Sequence, residues 1–348
     1  MGRRGDAHRL IRWLWTSRRA DARLARLCLL PFAGVWRLGV GARNLAFDRK
    51  WLPVRDLPLP AVGVGNLTVG GSGKTPIASW IAAHYASRGL VPGVLLRGYG
   101  GDEVLVHRRQ VPSARVVADP DRVAGAERAR AEGAQVLVLD DAFQRRDVWR
   151  DYNIAVVSAE TSRAVRWPIP AGPWREGLAA LERAHAVIVT RKRADQDAAA
   201  GLAGSLTGLV RGLCPVGIVH LGVSRYVGLV SGRPLGAGGL AGRRVVAASA
   251  IADPEAFVAQ TKATGAQVQV ATWRDHHAFR DEDLAWLAKA ARKADFVVLT
   301  EKDAVKLRDR WPASVPEPLV AVLDLTWELG ESAITAGLDA IVTPIDRL

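Results

Sequence analysis

Residues 61–85 read AVGVGNLTVGGSGKTPIASWIAAHY. The run 61–66 is short and apolar and breaks into glycines, which predicts a buried strand. Residues 76–90 predict a helix, with Pro76 in its first turn and Ile77, Trp80, Ile81 and Tyr85 near helical spacing. Between them lie Thr68, Val69, Gly70, Gly71, Ser72, Gly73, Lys74 and Thr75. Strand, glycine loop, helix is the context in which such a stretch cradles phosphate oxygens with backbone N–H groups. Lys74 is then expected on the β- and γ-phosphates and Thr75 on Mg²⁺. The usual spacing, G-x-x-x-x-G-K-[ST], wants glycine where Thr68 stands, so Thr68 must not need a positive φ. An ordinary glycine turn is the plain alternative, and it does not account for GGSGKT at a helix start.

Working outward, QVLVLDDAFQRRD (135–147) is an apolar run that meets two aspartates. In a phosphate-loop protein this is the place of the carboxylate beside Mg²⁺. Asp140 is therefore expected on the metal side, and Asp141 to position metal or substrate, with catalytic contact. VPGVLLRGYGG (91–101), YNIAVVS (152–158) and HAVIVT (185–190) predict further buried strands, and 121–134 a helix. This alternation predicts an α/β fold, a P-loop NTPase domain with a parallel sheet covered on both faces. Glycine-rich texture over 205–245 suggests a connector with hairpin character. The strand–helix rhythm then resumes through 243–268 and 284–307, giving a second, smaller α/β domain. The expected boundaries are an arm over 1–52, the P-loop domain over 53–222, the smaller domain over 223–335 and a C-terminal segment over 336–348.

The two cysteines, Cys28 and Cys214, share no motif spacing, which fits a reducing compartment. The net charge of +13 is uneven: residues 1–50 carry twelve Arg/Lys against three aspartates, a net of +9. That arm also holds Trp13, Trp15 and Trp36 and the run LCLLPFAGVW (27–36), bracketed by Arg26 and Arg37. Ten uncharged residues fall short of the roughly 20 that a bilayer span needs, and Pro31 interrupts them. Arginine stems among Trp and Leu instead suggest a segment lying in a membrane interface. A helix packed on the protein's own core and a nucleic-acid arm are the other readings. The second is disfavoured by the density of Leu, Trp and Phe.

GNLTVGGSGKTP, LLRGYGG, VLDDAFQRRD, PAGPWREGLAAL, WRDHHAF and TEKDAVKL occur in that order over residues 62–307. Together they resemble the tetraacyldisaccharide 4′-kinase family, the bacterial lipid A kinases. The resemblance implies ATP and Mg²⁺ as cofactors and transfer of phosphate to the 4′-hydroxyl of a tetraacyldisaccharide 1-phosphate, giving lipid IVA. It implies a peripheral or monotopic place at the cytoplasmic face of the inner membrane, with an anionic membrane surface and a lipid disaccharide as partners. Nucleic acid and an obligate protein partner are not expected. Thr68 is itself usual in this family.

The resemblance also implies a catalytic pair. The family's aspartate in a VGDEP-like motif matches Asp119 in VVADPDR, and its histidine matches His276 in WRDHHAF. A carboxylate oriented by histidine is suited to take a sugar hydroxyl proton, and their cooperation requires both domains to face one cleft. Departures from the family pattern are Pro120 where glutamate is expected, Ala142 for glycine and Arg145 for histidine. Arg97, Arg175 and Glu176 are candidates for substrate contacts, arginine for its planar fork on phosphate. Two rivals are a membrane-surface P-loop NTPase switch and a non-catalytic nucleotide-binding adaptor. A guanine reader would want [NT]-K-x-D at a strand end, and TRKRAD (190–195) and TEKD (300–303) both misplace the lysine.

Overall fold

In the computed structural model the described residues are 10–11, 13–98, 101–162, 166–210, 212 and 214–343. Part of the arm, residues 1–9 and Arg12, and the last five residues of the C-terminal segment lie outside them. In chain order the main elements are α1 (Ala20–Asp48), β1 (Ala61–Asn66), α2 (Lys74–Ser87), β2 (Pro92–Leu96), α3 (Asp102–Gln110), β3 (Arg115–Ala118), α4 (Arg122–Ala131), β4 (Val136–Leu139), β5 (Tyr152–Ser158), β6 (Ala186–Arg191), α5 (Gln196–Thr207) and β7 (Val216–Gly228). There follow β8 (Pro234–Gly236), β9 (Arg244–Ser249), α6 (Pro254–Ala263), β10 (Gln267–Thr272), α7 (Asp281–Ala291), β11 (Phe296–Thr300), α8 (Glu301–Leu307), β12 (Leu319–Leu329) and α9 (Glu331–Ala340).

The chain divides into two units: residues 1–99, 107–220 and 327–348 form one, and 100–106 with 221–326 form the other. The division differs from the linear boundaries read from the sequence. The arm and the C-terminal segment belong to the first unit, and five residues of α3 belong to the second.

In the first unit the strands run β7-β6-β5-β1-β4-β2-β3, all parallel. β1, β2 and β4 are buried at every position, as expected of a parallel sheet covered on both faces. Because β1 and β4 are parallel neighbours, their carboxyl ends share an edge. The loop after β1 and the aspartates after β4 are therefore brought together. Gly65 permits this closeness, since a Cβ there would lie 2.5 Å from Phe143 Cβ. At the C-terminus α9 is fastened by Tyr85 Oη donating to the Leu338 carbonyl, 2.9 Å, and by His84 against Asp339, 2.9 Å.

α1 runs unbroken through Pro31 for 29 residues, about 44 Å. The span is therefore longer than the interruption at Pro31 suggested: by length and composition this helix is able to cross a membrane. It buries one stripe, Ala22, Arg26, Ala33 and Phe47, and exposes Leu24, Leu27, Phe32, Val35 and Leu38. Its C-terminal half is tied to the unit by polar contacts. Trp36 Nε1 donates to the Arg175 carbonyl (3.1 Å), Arg43 to the Gln144 carbonyl (3.0 Å) and Asn44 to Glu176 (3.2 Å). Arg146 pairs with Asp48 at 2.6 Å.

In the second unit β10-β9-β11-β12 are parallel, and β7 pairs with β8 in an antiparallel hairpin, the hairpin character expected of 205–245. One core lies between the sheet and α7 and α8, around Leu287, Leu299, Leu307 and Val320; the other holds Tyr226, Phe257 and Val298.

Candidate nucleotide and acceptor sites

In the first unit the loop 68–75 closes on α2 with Gly73 as N-cap at φ 87°, a left-handed backbone that glycine adopts without Cβ strain. The loop is braced from several sides. Asn66 donates to Ser72 Oγ at 2.7 Å, Thr190 Oγ1 to the Ser72 carbonyl at 2.8 Å, and Lys192 Nζ to the Gly71 carbonyl at 2.6 Å. Thr68 bridges to Trp174, and Val69 N–H donates to the Pro173 carbonyl at 2.8 Å. TRKRAD thus supports the phosphate loop. Glu160 anchors that turn: burial opposes its ionisation, but backbone N–H groups of Arg193, Lys192 and Ala194 and the Ser158 hydroxyl outweigh this and hold it down to about 2.

Lys74 Nζ lies 3.4 Å from Asp141, whose backbone is left-handed at φ 54°. Arg175 reaches the same carboxylate at 3.2 Å. Thr75 and Asp140 are both buried, and Asp140 meets His107 Nε2 at 3.2 Å. Hydroxyl and carboxylate oxygens are hard donors that suit Mg²⁺, which is commonly held by one or two carboxylates plus phosphates. Arg122 is fully buried behind Asp140, and burial first of all pushes its guanidinium down to about 10.

Three sequence candidates sit differently. Glu176 is buried, and its Oε2 both pairs with Arg183 at 2.6 Å and accepts from Asn44 of the arm at 3.2 Å. Arg97 is exposed after β2. Asp119 is engaged in a turn: one oxygen accepts from Asp121 N–H at 2.8 Å and the other pairs with Arg128 at 2.7 Å.

In the second unit His276 has a partner the sequence reading missed. Its Nδ1 lies 2.9 Å from Asp102 Oδ2 and 3.0 Å from Oδ1. Asp102, at the start of α3, is 5% exposed. His276 is held at φ 55° and donates its N–H to the Ala250 carbonyl at 3.2 Å. TEKDAVKL builds the surround. Thr300 caps α8 by accepting from Asp303 N–H at 3.3 Å, and its hydroxyl donates to Asp303 Oδ2 at 2.6 Å. Asp303 also accepts from Ala250 N–H at 2.9 Å, which fixes the turn after β9. Lys302 pairs with Glu103 at 2.7 Å, and Lys306 bridges Asp102 and Asp303 at 3.3 Å each. Burial opposes the charge on Asp102, but the His276 hydrogen bond and the charges of Lys306 and Lys302 hold its carboxyl below the usual range. The same hydrogen bond raises His276, against its burial. The arrangement is a carboxylate kept ionised and oriented by a histidine.

The family model described as tetraacyldisaccharide-1-P 4′-kinase matches residues 25–103 and 100–343. The chain belongs to that family. A tetraacyldisaccharide 4′-kinase of Anaeromyxobacter sp. (strain Fw109-5) is 34% identical over 362 residues, 96% of each chain. One of Thiobacillus denitrificans is 35% identical, covering 81% of this chain and 87% of its own. LpxK from Aquifex aeolicus, solved in complex with ATP, is 23% identical and shares the fold, with a TM-score of 0.70 over 92% of this chain and all of its own.

Within the family pattern the aspartate was matched to Asp119, at the cost of Pro120 where glutamate belongs. The hydrogen bonds of His276 run to another aspartate, Asp102. Asp119 and His276 fall in different units, each with its own partners there, while Gly101-Asp102-Glu103 supplies glycine, aspartate and glutamate in order and carries the partner of His276. The signal was present in those three residues. It was hidden because no helix was expected over DEVLVHRRQ, which lacks an apolar period.

Proposed function

We propose that this chain transfers the γ-phosphate of ATP to the 4′-hydroxyl of a tetraacyldisaccharide 1-phosphate, with Asp102 as the base. The observation that carries the reading is the Asp102–His276 pair enclosed by Lys306, Lys302 and Asp303. Residues 68–75 hold the phosphates through backbone N–H groups, and Lys74 leaves Asp141 for the β- and γ-phosphates. Thr75 and Asp140 hold Mg²⁺, which neutralises charge on the phosphate oxygens when bound. Asp102 accepts the hydroxyl proton as the new O–P bond forms and the bond from the γ-phosphorus to the bridging oxygen breaks, releasing ADP. His276 keeps the carboxylate aimed and ionised, and Arg175 and Arg97 are placed to meet anionic groups.

The exposed side of α1, together with the basic charge of the arm, supports docking on an anionic membrane surface, the cytoplasmic face of the inner membrane. The deciding assay mixes the protein with ATP, Mg²⁺ and the disaccharide lipid in detergent micelles and locates the new phosphate by mass spectrometry and NMR. Acceptor-dependent ADP release with a 4′-phosphate is expected. ATP consumption indifferent to the acceptor would overturn the reading in favour of an NTPase switch.

A further inference from the structure

His107 is fully buried, yet its ring is hydrogen-bonded at both nitrogens. Nδ1 lies 2.8 Å from Ser79 Oγ and Nε2 lies 3.2 Å from Asp140 Oδ2. Ser79 and Asp140 are themselves buried. An ionised carboxylate only accepts, so Nε2 carries a proton toward Asp140, and in the singly protonated ring Nδ1 accepts from the Ser79 hydroxyl. Ser79 stands four residues after Thr75 on α2, hence on the same helix face. The chain of contacts therefore runs from the helix that closes the phosphate loop, through a ring on α3, to the carboxylate at the end of β4.

We propose that His107 is a positioning residue for Asp140: it anchors one carboxylate oxygen so that the other is presented to the metal of a Mg-nucleotide, with Ser79 fixing the ring. A carboxylate has a broad torsion about its last bond. A fixed donor at Oδ2 narrows that freedom, and outer partners of metal ligands commonly set affinity in this way. The inference rests on Asp140 being the metal carboxylate, as proposed above.

The test is calorimetric titration of ADP into the full-length protein, in Mg²⁺ and in EDTA, so no turnover is needed. The wild type is expected to bind ADP more tightly in Mg²⁺. In His107→Ala that gain falls by about 10–100-fold, with affinity in EDTA unchanged. His107→Gln, which restores an N–H at the Nε2 position, recovers most of the gain, and Ser79→Ala loses part of it. An undiminished Mg²⁺ gain in His107→Ala overturns the proposal. Equal losses in Mg²⁺ and EDTA, unrelieved by glutamine, also overturn it, because they mark a ring that only fills space. Asp140→Asn separates the two levels. If it too keeps the Mg²⁺ gain, the metal role of Asp140 fails; if it loses the gain while His107→Ala keeps it, only the positioning role fails.

Discussion

Replacing Asp102 by asparagine keeps the shape of the side chain and removes its basicity. Asp102 is 5% exposed and makes its contacts to His276 and Lys306 through the carboxylate, so the variant is not silent for folding. Lys306 retains Asp303 at 3.3 Å and asparagine keeps one acceptor oxygen, so the main loss is one charge-assisted hydrogen bond, worth about 1.5–3 kcal/mol. The catalytic cost is larger. General-base removal typically costs about 10²–10⁴-fold in rate, equivalent to roughly 3–5 kcal/mol of barrier. The assay is kcat and KM for ATP and for the disaccharide lipid, with a thermal melt alongside. Asp102→Asn should lose kcat on that scale while KM for ATP stays within about threefold. Asp119→Asn, which keeps an acceptor oxygen for Asp121 N–H and breaks only the pair with Arg128, should keep kcat within about threefold. Near wild-type kcat in Asp102→Asn would refute the assignment. A large loss confined to Asp119→Asn would return the base to that residue, and loss in neither would move it to Asp141.

His276→Ala should lower kcat and move the acid limb of kcat/KM to higher pH, because it removes a group that holds Asp102 down while burial still pushes it up; an unmoved limb would count against the pair. The Asp102→Asn/His276→Ala double variant should cost little more than Asp102→Asn alone, and fully multiplicative losses would break the unit. His276 is raised on folding, so its stabilisation is complete below about pH 6.5 and is lost as pH rises through the raised value. Asp102 is lowered, so its share is present above about pH 3.9 and is lost as pH falls. Melts of wild type and His276→Ala should therefore converge at high pH. Lys74→Ala should abolish turnover, and Thr75→Ala should raise the Mg²⁺ concentration for half activity; an unchanged Mg²⁺ titration removes Thr75 from the metal. Leu27→Ser, Phe32→Ser and Leu38→Ser together, all on the exposed side of α1, should release the protein from anionic vesicles at high salt and leave ATP binding intact. Equal co-sedimentation of variant and wild type would refute membrane docking by this face.

Local patterns were legible because their chemistry is local. A glycine at φ 87° before Lys74, a buried β1 and two aspartates after β4 all follow from residues next to one another in the chain. The parallel order then sets loop and aspartates side by side without further information. What the sequence could not decide was which aspartate meets His276. Asp102 and His276 are 174 positions apart, and the family resemblance led instead to Asp119, which lies in a turn. Lys306 carried no role of its own within TEKDAVKL, and only its approach to 3.3 Å makes it the counter-charge of Asp102. His107 carried no signal at all, since a lone histidine in DEVLVHRRQ has no spacing to a partner. Its meaning comes from a buried contact with Asp140 that exists only once the chain has folded. Periodicity and motif spacing report bonds along the chain; the assignment of a proton acceptor depends on desolvation and partner distance, which tertiary packing alone creates.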